Sequence, residues 1–196
     1  MKQVLLYRWF AQRISKKWFF SLFLILVGWN IILGVLSAKI IGDKGATVKI
    51  LDLENGYTPT QVYAWWAAYG ENGLWWYSFI NCFIDILYPI TYTLFFTLVL
   101  VTLLEYSVPK WVNNLYQLTL VPFIIFAADM VENGLVFIAL RQYPSPSDMI
   151  LQIASVATQI KWLFIVFWLA LAIIGLVTYF ANGKEARKSL NNYKNV

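Results

Sequence analysis

Four long apolar runs follow one another along the chain, at about residues 18–37, 74–106, 113–140 and 146–181. A helix rises ~1.5 Å per residue, so about twenty apolar residues cross the ~30 Å hydrocarbon core of a bilayer. The pattern predicts four membrane-spanning helices. The short links between the later spans predict an all-α, up-down four-helix bundle, one membrane domain over residues 1–196. The second run is longer than a bilayer requires and contains Pro89, so a tilt or kink is expected. The third contains Pro122. In the fourth, Ser145 is read as the cap and Pro146 as the first helical residue. Only 162–181 is unbroken apolar sequence there, so 149–161 is expected to project beyond the membrane. The first run is too long for a signal-peptide core and is read as a retained anchor.

Residues 38–73 form the longest polar stretch and are read as an outer segment. Thr47 to Leu53 alternates weakly, which predicts a short strand. Thr58-Pro59-Thr60-Gln61 is a helix start: Thr58 can cap, Pro59 suits the first position, and Gln61 completes a capping box. The helix that follows, to Tyr69, is too short to span. Its Trp and Tyr content predicts that it lies flat in the outer interface or lids the bundle. Gly70-Glu71-Asn72-Gly73 is read as its end.

Composition supports this class. The chain is 60% hydrophobic and 13% charged, against about 25% charged in soluble domains. With one cysteine, Cys82, and no histidine, an intrachain disulfide, a His/Cys zinc site, His-bound haem and a His base are all excluded. No cofactor or metal is expected. The net charge of +5 does not indicate nucleic acid, because of where it lies. Lys2, Arg8, Arg13, Lys16 and Lys17 precede the first run, and Lys184, Arg187, Lys188 and Lys194 follow the last. This positive-inside pattern predicts both termini in the cytoplasm, in a plasma or inner membrane, with basic ends against anionic lipid.

The candidate chemistry is the charge inside the apolar runs. Asp85, Asp129, Glu132 and Lys161 lie in or at the edge of such segments, where a charge costs several kcal/mol. Counted along each helix, they reach a similar depth, towards the outer leaflet. Ser78, Asn81, Asp85, Tyr88 and Tyr92 step by three and four and share one face. Asp129, Glu132 and Asn133 share another, and Ser155, Thr158, Lys161 and Trp162 a third. Polar stripes in membrane helices face each other or a wet cavity. The expectation is therefore a meeting of three acids with Lys161, in a site lined by Asn81, Asp85, Tyr88, Tyr92, Asp129, Glu132, Asn133, Thr158, Lys161 and Trp162. Three carboxylates exceed one ammonium, and a proton, a cation or a cationic ligand would relieve the excess.

Asp85-Ile86-Leu87-Tyr88-Pro89-Ile90-Thr91-Tyr92, Asp129-Met130-Val131-Glu132-Asn133 and Thr158-Gln159-Ile160-Lys161-Trp162 resemble motifs of small four-span membrane proteins with no assigned function. The resemblance extends over Asp52 to Trp162, and Gly56-Tyr57-Thr58-Pro59 is similar to the start of their outer segment. It implies that this segment and the charged stripes belong together. In architecture alone, the bundle is similar to the sterol-isomerase and sigma-2 receptor group.

Three functions follow as expectations. The first is binding of a lipid, an isoprenoid or an amine-bearing small molecule in an outward-facing acidic and aromatic pocket, with catalysis by Asp85 or Glu132 as base an open extension. The second is an accessory or assembly role beside a membrane-protein partner. The third is proton or ion movement, disfavoured because the inner half offers only Thr93, Thr97, Thr102, Gln117 and Thr119, and threonine in a membrane helix usually bonds its own backbone.

Overall fold

The structure, a computed structural model, describes residues 9–11, 15–42, 49–107 and 115–194, with backbone alone for residues 16 and 182–194. Lys2, Arg8 and Arg13, the first part of the expected strand, and most of the short link between the second and third apolar runs lie outside the described residues.

Among the described residues, five long helices carry the fold: α1 (Lys16–Ile41), α2 (Pro59–Phe79), α3 (Asp85–Ser107), α4 (Val121–Gln142) and α5 (Asp148–Lys194). A π-helical segment, Ile80–Ile84, joins α2 to α3. A 3-10 turn, Tyr116–Leu120, leads into α4. Among the described residues, four stretches are long and apolar enough to cross a membrane: Lys17–Ile41, Pro59–Tyr106, Tyr116–Gln142 and Asp148–Ala181. The chain is an all-α integral membrane protein. α4 and α5 pack most extensively, α3 lies against both, and α1 sits at the edge, mainly on α2 and α3.

The capping box forms as expected. The Gln61 N–H donates to Thr58 Oγ1 at 3.3 Å, and the Thr58 N–H donates to Gln61 Oε1 at 2.9 Å. One face of this helix packs inward. Val62, Trp66 and Tyr69 are buried, and Trp66 packs against Tyr77 and Tyr143. Gly70 does not end α2. It takes a positive φ of 67°, which glycine adopts without a steric penalty, and the helix resumes in a new direction. Gly73 then allows a close approach, since a Cβ there would lie 3.1 Å from the Ile40 carbonyl oxygen at the end of α1.

Three boundaries differ from the expectation. Lys49 and Ile50 lack regular structure and Leu51–Leu53 is a 3-10 turn rather than a strand. Pro122 stands in the first turn of α4, where its missing N–H leaves no bond unmade. α5 starts at Asp148, and the Ser147 carbonyl accepts the Leu151 N–H at 3.0 Å, so Ser147 rather than Ser145 is at the cap.

Three apolar clusters result among the described residues, the smallest around Phe10, Val101 and Leu104, and the other two flank the charged groups. One lies at the end carrying the 49–58 loop and includes Leu51, Tyr57, Trp66, Tyr77, Val136 and Leu151. The other includes Leu26, Tyr92, Leu100, Ile125 and Trp168. On α4, Asp129, Glu132 and Asn133 fall between Ile125 and Val136. On α5, Lys161 falls between Ala154 and Trp168. The charged groups thus form a polar layer between two apolar ones.

Candidate functional site: a buried carboxylate and lysine layer

Lys161 is the centre of the layer. Its ammonium lies 2.5 Å from Glu132 Oε2, 3.0 Å from Asp129 Oδ1 and 3.5 Å from Asp52 Oδ1. The Lys161, Asp129 and Glu132 side chains are 7%, 8% and 1% exposed, so these pairs are shielded from water. Asp129 and Glu132 reach one cation because they are three residues apart on α4 and project from one face.

The rest of the network braces these pairs. The Tyr92 hydroxyl donates to Asp129 Oδ2 at 2.7 Å. The Tyr57 hydroxyl lies 3.5 Å from Glu132 Oε1, and the Thr158 hydroxyl 3.4 Å from Tyr57. Thr158 also donates to its own helix, at the Ala154 carbonyl. Burial first, and the Glu132 carboxylate second, push the Tyr57 hydroxyl well above its ordinary range, so it remains a neutral donor.

Asp52 and Tyr57 come from the loop, which is fastened along α5. The Trp162 indole donates to the Glu54 carbonyl at 3.0 Å, and the Tyr57 N–H donates to Ser155 Oγ at 2.8 Å. Between them Gly56 has φ of 92°, and a Cβ there would fall 2.7 Å from Gln159 Nε2. Only glycine suits both the conformation and the spacing. Trp162 also borders an open groove of about 760 Å³ with Leu53, Asn55 and Gln159.

Asp52, Asp129 and Glu132 present oxygens within 4.8 Å of one another. The Lys161 ammonium stands among them, in the place that a metal ion would need.

Asp85 does not join Lys161, contrary to the expected meeting of Asp85, Asp129 and Glu132. Asp85 Oδ2 is buried and has no hydrogen-bond partner. The π-helical segment immediately before it changes the helical register, so a straight-helix projection misplaces its face. Asn133 meets Asp85 through the backbone, donating to the Asp85 carbonyl at 3.1 Å. Asn81, one turn away, also has a buried oxygen without a partner. Tyr88 is half-buried and packs edge-on against Tyr92 at 5.4 Å. Thr102 and Thr119 bond their own backbones as expected, whereas the Thr93 and Thr97 hydroxyls are buried without partners.

Comparison of the chain with protein-family models, with curated proteins and with solved structures finds no match.

Proposed function

We propose that the outer half of the bundle binds an amphiphilic molecule from the outer leaflet, a lipid, isoprenoid or amine-bearing compound, beside the Lys161 layer. The observation that carries this reading is Asp85. Asp129, Glu132 and Asp52 all have the Lys161 ammonium to face, whereas Asp85 keeps a buried oxygen with no donor. The helix lock is complete without it. A donor or cation from a ligand would remove the cost of burying that oxygen. Tyr88, Tyr92 and the neighbouring apolar residues offer the wall such a molecule would need. In this reading Lys161, Glu132 and Asp129 set the frame. If chemistry follows binding, Asp85 is better placed to act as base than Glu132, which Lys161 already holds.

The basic flanks support placing the loop end outside and both termini in the cytoplasm. A second reading, an accessory subunit, draws support from α1. It lies at the edge of the bundle, and the most apolar part of its span is 6% buried. Ion movement has less support, because the row through Thr93 and Thr97 continues into buried Val101 and Leu104.

The test is thermal unfolding of the purified chain with and without a total lipid extract of its native membrane. A bound component should raise Tm of the wild type by mass action. Asp85→Asn should unfold at an equal or higher temperature without lipid, and lose the lipid-dependent rise. Equal rises in both proteins would contradict the proposal.

A further inference from the structure

A lateral groove lies between the π-helical segment and α4. Asn81 and Cys82 from the π segment, Ile86 from α3, and Met130, Asn133, Gly134 and Phe137 from α4 line about 370 Å³. That is within the ~300–1,000 Å³ of small-ligand sites. Two local features open it. The Asp85 N–H bonds back to the Ile80 carbonyl, five residues earlier, so the segment carries an extra residue and spreads its side chains. Across from it, a Cβ on Gly134 would have nothing within 4 Å.

The chemistry of the wall is selective. Most of it is apolar; of its two asparagines, Asn133 is committed to the Asp85 carbonyl, and Asn81, 4% exposed, holds a buried oxygen just behind the wall that no protein group satisfies. Asp85 Oδ2, a second unpartnered acceptor, stands one turn further along the same helical path. The unpartnered Asn81 acceptor calls for a donor, and the Asp85 carboxyl one turn away disfavours an anion. Ile86 and Met130 lie deeper along their helices than Asn81 and Phe137, so an apolar chain has a path down from a polar head.

We infer that this groove is an entry and binding site for a membrane amphiphile whose head donates hydrogen bonds, a hydroxyl or an ammonium on an apolar chain, with Asn81 as its acceptor. The inference rests on the ligand-binding reading above and names the position and head chemistry of the ligand.

Cys82, the only cysteine in the sequence and half-buried in the groove wall, reports on occupancy. The experiment follows its alkylation by N-ethylmaleimide in the full chain in detergent micelles, with dodecylamine, 1-dodecanol or laurate as probe. Near saturation, dodecylamine or dodecanol should slow alkylation about tenfold, as ligand protection requires, and laurate should not. Protection by the amine alone assigns an ammonium head, and protection by both assigns donation in general. Asn81→Leu should abolish protection. Gly134→Leu should slow alkylation without any probe, since its side chain enters the groove. Circular dichroism confirms that each variant is folded, and a pair of variants that both fail to fold would leave the probe series in the wild type to decide. Equal protection by laurate, no protection by any probe, or full protection in folded Asn81→Leu would overturn the inference. If no probe protects Cys82 while native lipid still stabilises wild type and not Asp85→Asn, the groove assignment falls and outer-half binding stands.

Discussion

The Asn133 side-chain amide donates to the backbone carbonyl of Asp85 at 3.1 Å, across the α3–α4 interface. Pro89 explains why that carbonyl is available. It stands four residues after Asp85 inside α3 and has no N–H to complete the helical bond. One polar side chain thus repairs the backbone at the point where the π segment meets α3.

Asn133→Ala should therefore destabilise the protein by roughly 1–3 kcal/mol, the cost of a buried acceptor left unpaired. Pro89→Ala restores a backbone donor for the same carbonyl. In that background the loss from Asn133→Ala should shrink, and a double-mutant cycle from thermal or denaturant unfolding reads the coupling. Additive losses would separate the two residues.

Lys161 is expected to be the most sensitive position in the polar layer. Lys161→Met leaves Glu132 and Asp129 buried without their cation, a loss of roughly 3–5 kcal/mol. Adding Glu132→Gln and Asp129→Asn should recover much of it, because neutral amides replace unpaired charges. Unfolding measurements in one detergent compare the three proteins. A triple variant less stable than Lys161→Met would contradict the pairing.

Gly56 holds the loop against α5, and two separate costs meet there. Gly56→Ala must adopt a positive φ and must also displace Gln159. A loss exceeding ~1 kcal/mol is expected. Adding Gln159→Ala should relieve the steric part alone, so recovery should be partial. Complete recovery would show that the backbone conformation carries no cost.

The orientation of the chain is tested with single cysteines in a Cys82→Ala background. A cysteine at the exposed Asn55 of the loop should react with an impermeant thiol reagent on intact cells, and one at Lys188 should react only after lysis. The opposite pattern would invert the topology.

The chain reveals part of this arrangement because charge in an apolar run demands a partner. Asp129, Glu132 and Lys161 stand out for that reason, and their helical spacing brings them together. Asp52 does not stand out. An acid in a polar loop needs no explanation, and the loop's fastening to α5 depends on Gly56, Ser155 and Trp162 acting jointly over long sequence distances. Asp85 is legible as a buried acid, but its separation from Lys161 is not, because a π-helical register has no plain signature in the pattern. Gly70 marks a break correctly, yet the Gly-Glu-Asn-Gly stretch hides that the helix resumes. At the start of α5, two serines precede the helix. Ser147 takes the cap because its N–H is held by the Tyr63 hydroxyl and its own hydroxyl donates to Gln142, contacts visible only after folding.

In the proposed function the outer half of this bundle holds a molecule at Asp85, beside a lock that is complete without it. Native mass spectrometry of the chain extracted gently from its own membrane tests this most directly. The wild type should carry a discrete adduct that Asp85→Asn lacks, while Gly56→Ala, altered in the loop alone, should retain it. Wild type and Asp85→Asn with identical adducts, or with none, would contradict it.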